Sequence, residues 1–134
     1  MQLKRIQHYL QQYRKYLSTA LEGKNFFCYN NRRKSLEFIT WEILPLLPPG
    51  VEPLYLEGYY LKTDYYEEKY LSKVLYQLEH YQRFPHLIKI RNGQVIDCQI
   101  NNEVFNCLNQ GKPKETVIRK MEEFFELQSS SENP

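Results

Sequence analysis

Leu3, Ile6, Leu10, Tyr13, Leu17 and Leu21 recur at three- and four-residue steps, with Lys4, Arg5, Gln11, Arg14 and Lys15 off the stripe. That spacing predicts an amphipathic helix over residues 2–22, stopped by Gly23. "NFFCY" (25–29) is short, apolar and aromatic, and reads as a buried strand. After the polar loop "NNRRKS", Ser35 is placed to cap a helix whose face carries Leu36, Ile39, Ile43 and Leu46. Pro45 falls inside that helix and should kink or end it, and Pro48-Pro49-Gly50 closes it. "VEPLYL" (51–56) reads as a second strand, although Pro53 suits a central strand poorly. Tyr66, Tyr70, Val74 and Leu78 return to helical spacing over 65–80. Residues 87–90 and 94–100 form a hairpin about Asn92-Gly93, both of which tolerate positive φ. The stretch 101–111 reads as a connection with a helical turn through Val104 and Leu108. Pro113 opens a last helix with Val117, Met121, Phe124 and Phe125 on its apolar face. Residues 128–134 read as a polar, frayed tail.

The order is helix, strand, helix, strand, helix, strand, strand, helix. A strand–helix–strand step favours a parallel pair, and the hairpin adds an antiparallel one. The expected fold is α/β: one domain over 1–127 with a four-stranded mixed sheet and helices on both faces. No repeat or second domain is visible.

Composition narrows the class. With 42% hydrophobic and 25% charged residues, the 134-residue chain suits a globular domain with a real core. A net charge of +2 is too small to argue for nucleic acid or an anionic membrane. Neither a secretory signal nor a membrane span is expected. Three cysteines, Cys28, Cys98 and Cys107, form no C-x-x-C pair, and no His/Cys cluster has metal-ligand spacing. Free thiols in a reducing cytoplasm are the simplest assignment. Twelve tyrosines are unusual; Tyr59, Tyr60, Tyr65 and Tyr66 are candidates for interface area.

"RFPHLIKIRNGQVID" (83–97) carries the most specific family likeness. A proline opening an apolar strand, then an Arg-Asn-Gly turn and a second strand, resembles the thioredoxin fold at Pro85, Leu87, Ile88, Ile90, Asn92 and Gly93. The likeness spans about residues 3 to 127. It implies a three-layer α/β/α thioredoxin-like domain with cis-Pro85, and a groove where the backbone at Phe84 pairs with an extended peptide.

The front half resembles the bacteriocin transport accessory proteins of Gram-positive bacteria. That branch shows Tyr-x-Gly-Arg-x-x-Cys-x-x-Cys after its first core strand. Here Tyr29 and Arg32 match, Asn31 replaces the glycine, and Ser35 and Phe38 stand where the cysteines would be. An alignment on Pro45 instead puts Glu37 and Thr40 there.

In either register the sulfur pair is missing. Disulfide exchange needs an attacking thiolate and a resolving thiol. A serine hydroxyl is far less acidic and forms no disulfide, and Phe38 has no heteroatom. The resemblance therefore implies a redox-inactive accessory or immunity-type protein, with no catalytic residue, cofactor or metal. Its groove would bind a peptide or protein partner through Phe84, Pro85, His86, Arg32, Arg33, Lys34, Ser35 and Phe38. His86 is read as a surface side chain on that face. Arg32-Arg33-Lys34 reads either as an anion or acidic-peptide site or as a solvated basic loop. The rival class is an oxidoreductase using one cysteine with an external thiol. No nucleic-acid partner and no stable membrane insertion are expected; the sequence leaves the oligomeric state open.

Overall fold

A computed structural model describes residues 2–58, 60–78 and 83–127. Tyr59, the end of the expected 65–80 helix and the tail 128–134 lie outside the described residues. The chain is mixed α/β. Its order is α1 (Gln2–Ser18), β1 (Asn25–Tyr29), α2 (Leu36–Phe38), β2 (Val51–Glu57), β3 (Tyr60–Lys62), α3 (Glu68–Tyr76), β4 (His86–Arg91), β5 (Gln94–Gln99), α4 (Asn101–Gln110) and α5 (Glu115–Phe124).

The sheet has five strands in the order β3-β2-β1-β4-β5, not the expected four. Strands β1 and β2 are parallel, and every other neighbouring pair is antiparallel. The additional strand, β3, folds back on β2 after Gly58, whose φ is +62°. Three residues at an edge leave little periodic signal in a sequence, which is why β3 is absent from the pattern above. It pairs only with Tyr55, Leu56 and Glu57. Pro53 therefore sits where the outer side of β2 is not covered by β3, a position that tolerates a missing N–H.

β1 lies at the centre, and all five of its residues are buried. Alternation divides them between two cores. Phe26 and Cys28 join Tyr13 and Leu17 of α1, Leu71, Val74 and Leu75 of α3, and Ile88 and Ile90 of β4. Phe27 and Tyr29 join Ile39 and Ile43 after α2, Val104 and Cys107 of α4, and Val117 and Met121 of α5. The sheet is thus covered on both faces, as buried parallel pairs require.

The helices depart from expectation for local reasons. α1 ends at Ser18, where the Ser18 and Thr19 hydroxyls donate to the Arg14 and Lys15 carbonyls and compete with the helical ladder. The first part of its apolar stripe, Leu3 and Ile6, stays exposed. α2 widens into a π-helical turn (Ile39–Ile43) and tightens into a 3₁₀ turn (Leu44–Leu46) around Pro45. The chain then leaves the helix at Leu47, whose ψ of 133° is the extended geometry favoured before Pro48. α4 is a full ten-residue helix, more than the single turn expected. Its asparagine-rich sequence is a poor helix former, but burial of Val104, Phe105 and Cys107 overrides propensity. Gly111, left-handed at φ 66°, closes it with backbone bonds to the Asn106 and Cys107 carbonyls.

Two side chains pin the hairpin. The Glu22 carboxylate accepts the N–H groups of Asn92 and Gly93, each at 2.8 Å. Lys89 Nζ donates to the Phe124 carbonyl at 2.6 Å, placing a cation at the C-terminus of α5.

Candidate functional site

The β1–α2 loop and the start of β4 meet on one face. The Phe84–Pro85 peptide bond is cis. Arg32 Nη1 donates to the Phe84 carbonyl at 3.3 Å, a contact between residues 52 apart. The carbonyl expected to pair with a partner peptide is therefore already engaged by this chain's own arginine.

Arg32 does not act alone. Its guanidinium carbon lies 5.6 Å from the centre of the Phe105 ring, and that of Arg33 lies 5.3 Å away. Phe105 is buried, so its ring gives both cations a fixed apolar support. Burial, then the neighbouring charges of Arg33 and Arg83, push the Arg32 pKa below its usual value. An arginine remains charged even so.

The loop backbone is unusual. Arg33 (φ 54°) and Lys34 (φ 58°) are both left-handed without being glycine. That double turn brings Ser35 inside. Ser35 is fully buried, and its Oγ has no hydrogen-bond partner among the described residues. It does not cap the helix, as its sequence position suggests; Asn31 Oδ1 instead accepts the Leu36 N–H at 2.9 Å.

The expected site residues thus separate into two groups. Arg32, Arg33 and Lys34 are half-buried or exposed on the surface. Phe84, Pro85, His86 and Ser35 are buried, and Phe38 packs half-buried in the core shared with α4 and α5. His86 is not a surface side chain. It is fully buried, its Nδ1 lies 3.5 Å from Asp97 Oδ2, and its ring stands edge-on to Phe84 at 4.9 Å. Alternation along β4 turns it inward with Ile88 and Ile90.

Two shallow clefts flank the loop and share Asn31. One, of about 420 Å³, is lined by Lys34, Leu36, Glu37, Thr40 and Trp41. The other, of about 490 Å³, is lined by Asn30, Arg32, Tyr55, Leu56, Glu57 and Gly58. Trp41, the chain's one tryptophan, is 71% exposed. Sequence reasoning missed Trp41, Phe105 and Arg83. Trp41 was within reach, since it lies off the Leu36–Ile39–Ile43 stripe and so faces outward. Phe105 was not, because nothing local says that α4 packs beneath this loop.

The tyrosines divide between packing and surface. Tyr9, Tyr13 and Tyr16 of α1 gather around Tyr70 of α3 at 5.0–6.3 Å between ring centres, joining two helices. Tyr66 donates to the Glu52 carboxylate at 2.7 Å. Tyr60 and Tyr65 are exposed and line a separate cleft of about 620 Å³ beside β3.

No cysteine sits in this loop. Cys28 is in β1, Cys98 in β5 and Cys107 in α4, and all three are free. Burial pushes each thiol pKa above its ordinary value. Each is therefore a poor source of thiolate at neutral pH. Among the described residues no group of His, Cys, Asp and Glu side chains is arranged to hold a metal ion. No described helix is long and apolar enough to cross a membrane.

The chain matches no family model, no curated protein and no solved structure.

Proposed function

We propose that this protein is a redox-inactive, thioredoxin-like binding protein that uses the face formed by the β1–α2 loop and cis-Pro85 to hold a peptide or protein partner. The observation that carries this reading is the Arg32–Phe84 contact beside a buried Ser35. Where disulfide chemistry needs an accessible thiolate, this face presents fixed guanidinium groups. The element order, with β2, β1, β4 and β5 adjacent and a cis proline opening β4, supports the thioredoxin-like assignment.

Arg32 already takes one acceptor position of the Phe84 carbonyl, and Phe84 itself is buried. Contact falls instead on Arg33, Lys34 and the exposed Trp41. An exposed aromatic beside cations is a common anchor for a partner. The family likeness sets the protein in a bacteriocin locus of a Gram-positive bacterium, as a cytoplasmic accessory or immunity-type protein; this setting rests on analogy. A single-cysteine oxidoreductase is disfavoured by three thiols whose pKa values are all raised.

Two assays test the reading together. Immobilised wild type should retain a discrete partner from the native cell, and a Lys34→Glu/Trp41→Ala variant should lose it. Neither form should accelerate insulin-disulfide reduction. Equal capture by both forms, or turnover abolished by a single Cys→Ser change, would contradict it.

A further inference from the structure

Four lysines of this protein meet carboxylates among the described residues. Lys24 pairs with Glu52, Lys62 with Glu57, Lys114 with Glu42 and Lys120 with Glu103. Like most Lys and Arg side chains of the protein, Arg32, Arg33, Lys34 and Arg83 form no ion pair among the described residues. They nevertheless share one patch. Arg83 is bonded directly to Phe84, whose carbonyl receives Arg32, and Arg33 shares the Phe105 ring with Arg32.

Such a grouping is locally unfavourable. Like charges repel, and burial together with Arg33 and Arg83 lowers the Arg32 pKa. The backbone adds a second cost, since Arg33 and Lys34 both occupy left-handed geometry. Unneutralised charge and a sparsely populated backbone at the same loop suggest a site completed by an anion.

We propose that this patch is a carboxylate-binding site that takes an acidic, extended peptide segment of a partner protein. The proposal rests on the binding-face reading and names the chemistry of the partner. Planar guanidinium groups already oriented on an aromatic ring suit carboxylates, which accept two parallel N–H bonds. The cleft beside Lys34 adds an apolar floor from Leu36 and Trp41, for an uncharged side chain between the acids. Glu37 and Glu57 border the two clefts. They would repel a uniformly charged polyphosphate, whereas a peptide can space its acids to avoid them.

The test uses the full chain and its single tryptophan. A short synthetic peptide rich in glutamate, with interspersed leucine, is titrated while Trp41 emission is followed, and calorimetry gives the affinity. Its glutamine counterpart and an oligothymidylate are run in parallel. The glutamate peptide should bind, shift Trp41 emission to shorter wavelength, and weaken as salt screens the contact. Arg33→Glu/Lys34→Glu should lower its affinity by about tenfold or more. Arg33→Gln/Lys34→Gln, which introduces no new charge, should lower it in the same direction and guards against a misfolded reversal.

Equal binding of the glutamine peptide, tighter binding of the oligothymidylate, or no binding of the glutamate peptide would each overturn the proposal. If the glutamate peptide fails while the native partner is still lost from the Lys34→Glu/Trp41→Ala variant, the binding face stands and only its acidic preference falls.

Discussion

Arg32 donates to the carbonyl of Phe84 across 3.3 Å, joining the loop after the central strand to the residue that precedes cis-Pro85. The guanidinium also rests on Phe105, so one side chain ties β1, β4 and α4 together. Truncation by Arg32→Ala removes a hydrogen bond worth about 0.5–1.5 kcal/mol and a cation–π contact worth about 0.5–1 kcal/mol. Urea denaturation should show a net loss of about 1–2 kcal/mol. No change in midpoint would mean that solvent replaces the contact at no cost.

Ser35 buries a hydroxyl without a hydrogen-bond partner among the described residues. Removing an unsatisfied polar atom relieves its desolvation. Ser35→Ala should therefore be neutral or stabilising, by up to about 1 kcal/mol in denaturation. A loss of more than about 1 kcal/mol would reveal a bond that the hydroxyl makes in solution.

Glu22 links stability to acid. The N–H groups of Gly93 and Asn92 hold its carboxyl below the usual range. A depressed folded pKa gives stability that is complete above the unfolded value, near pH 4.3, and lost as pH falls through the folded value. The stability difference between wild type and Glu22→Gln should be constant from about pH 5 to 8 and shrink below about pH 4. A gap that widened on acidification would have the wrong sign.

The thiols should be slow to react. Cys28 lies in a fully buried central strand, Cys107 is buried in α4, and Cys98 is only partly covered. Titration with a thiol reagent at neutral pH should modify Cys98 first and Cys28 only on unfolding. Immediate reaction of all three in the native protein would contradict the burial described here.

Much of this architecture was legible in residue order. The Asn92-Gly93 hairpin, the apolar run of β1 and the disruption at Pro45 all follow from short-range chemistry, and each appears where its residues place it. β3 and the length of α4 were not legible, because a three-residue edge strand and an asparagine-rich helix depend on what they pack against. At the site, proximity of the 32–34 loop to Pro85 was foreseen, but exposure was not. Ser35 follows the basic 32–34 loop, yet two left-handed residues precede its turn inward, and His86, between Pro85 and Leu87, lies on a strand buried on both faces. The pairing of Arg32 with Phe84 spans 52 positions and has no local signature.

Photo-crosslinking from two positions in the native cell tests the binding face most directly. One reactive residue replaces Lys34 in the loop, and a control replaces the exposed Arg119 on α5. A discrete partner should be trapped from position 34 and not from position 119. Identical products from both positions, or none from position 34, would contradict a binding face that presents Arg33, Lys34 and Trp41.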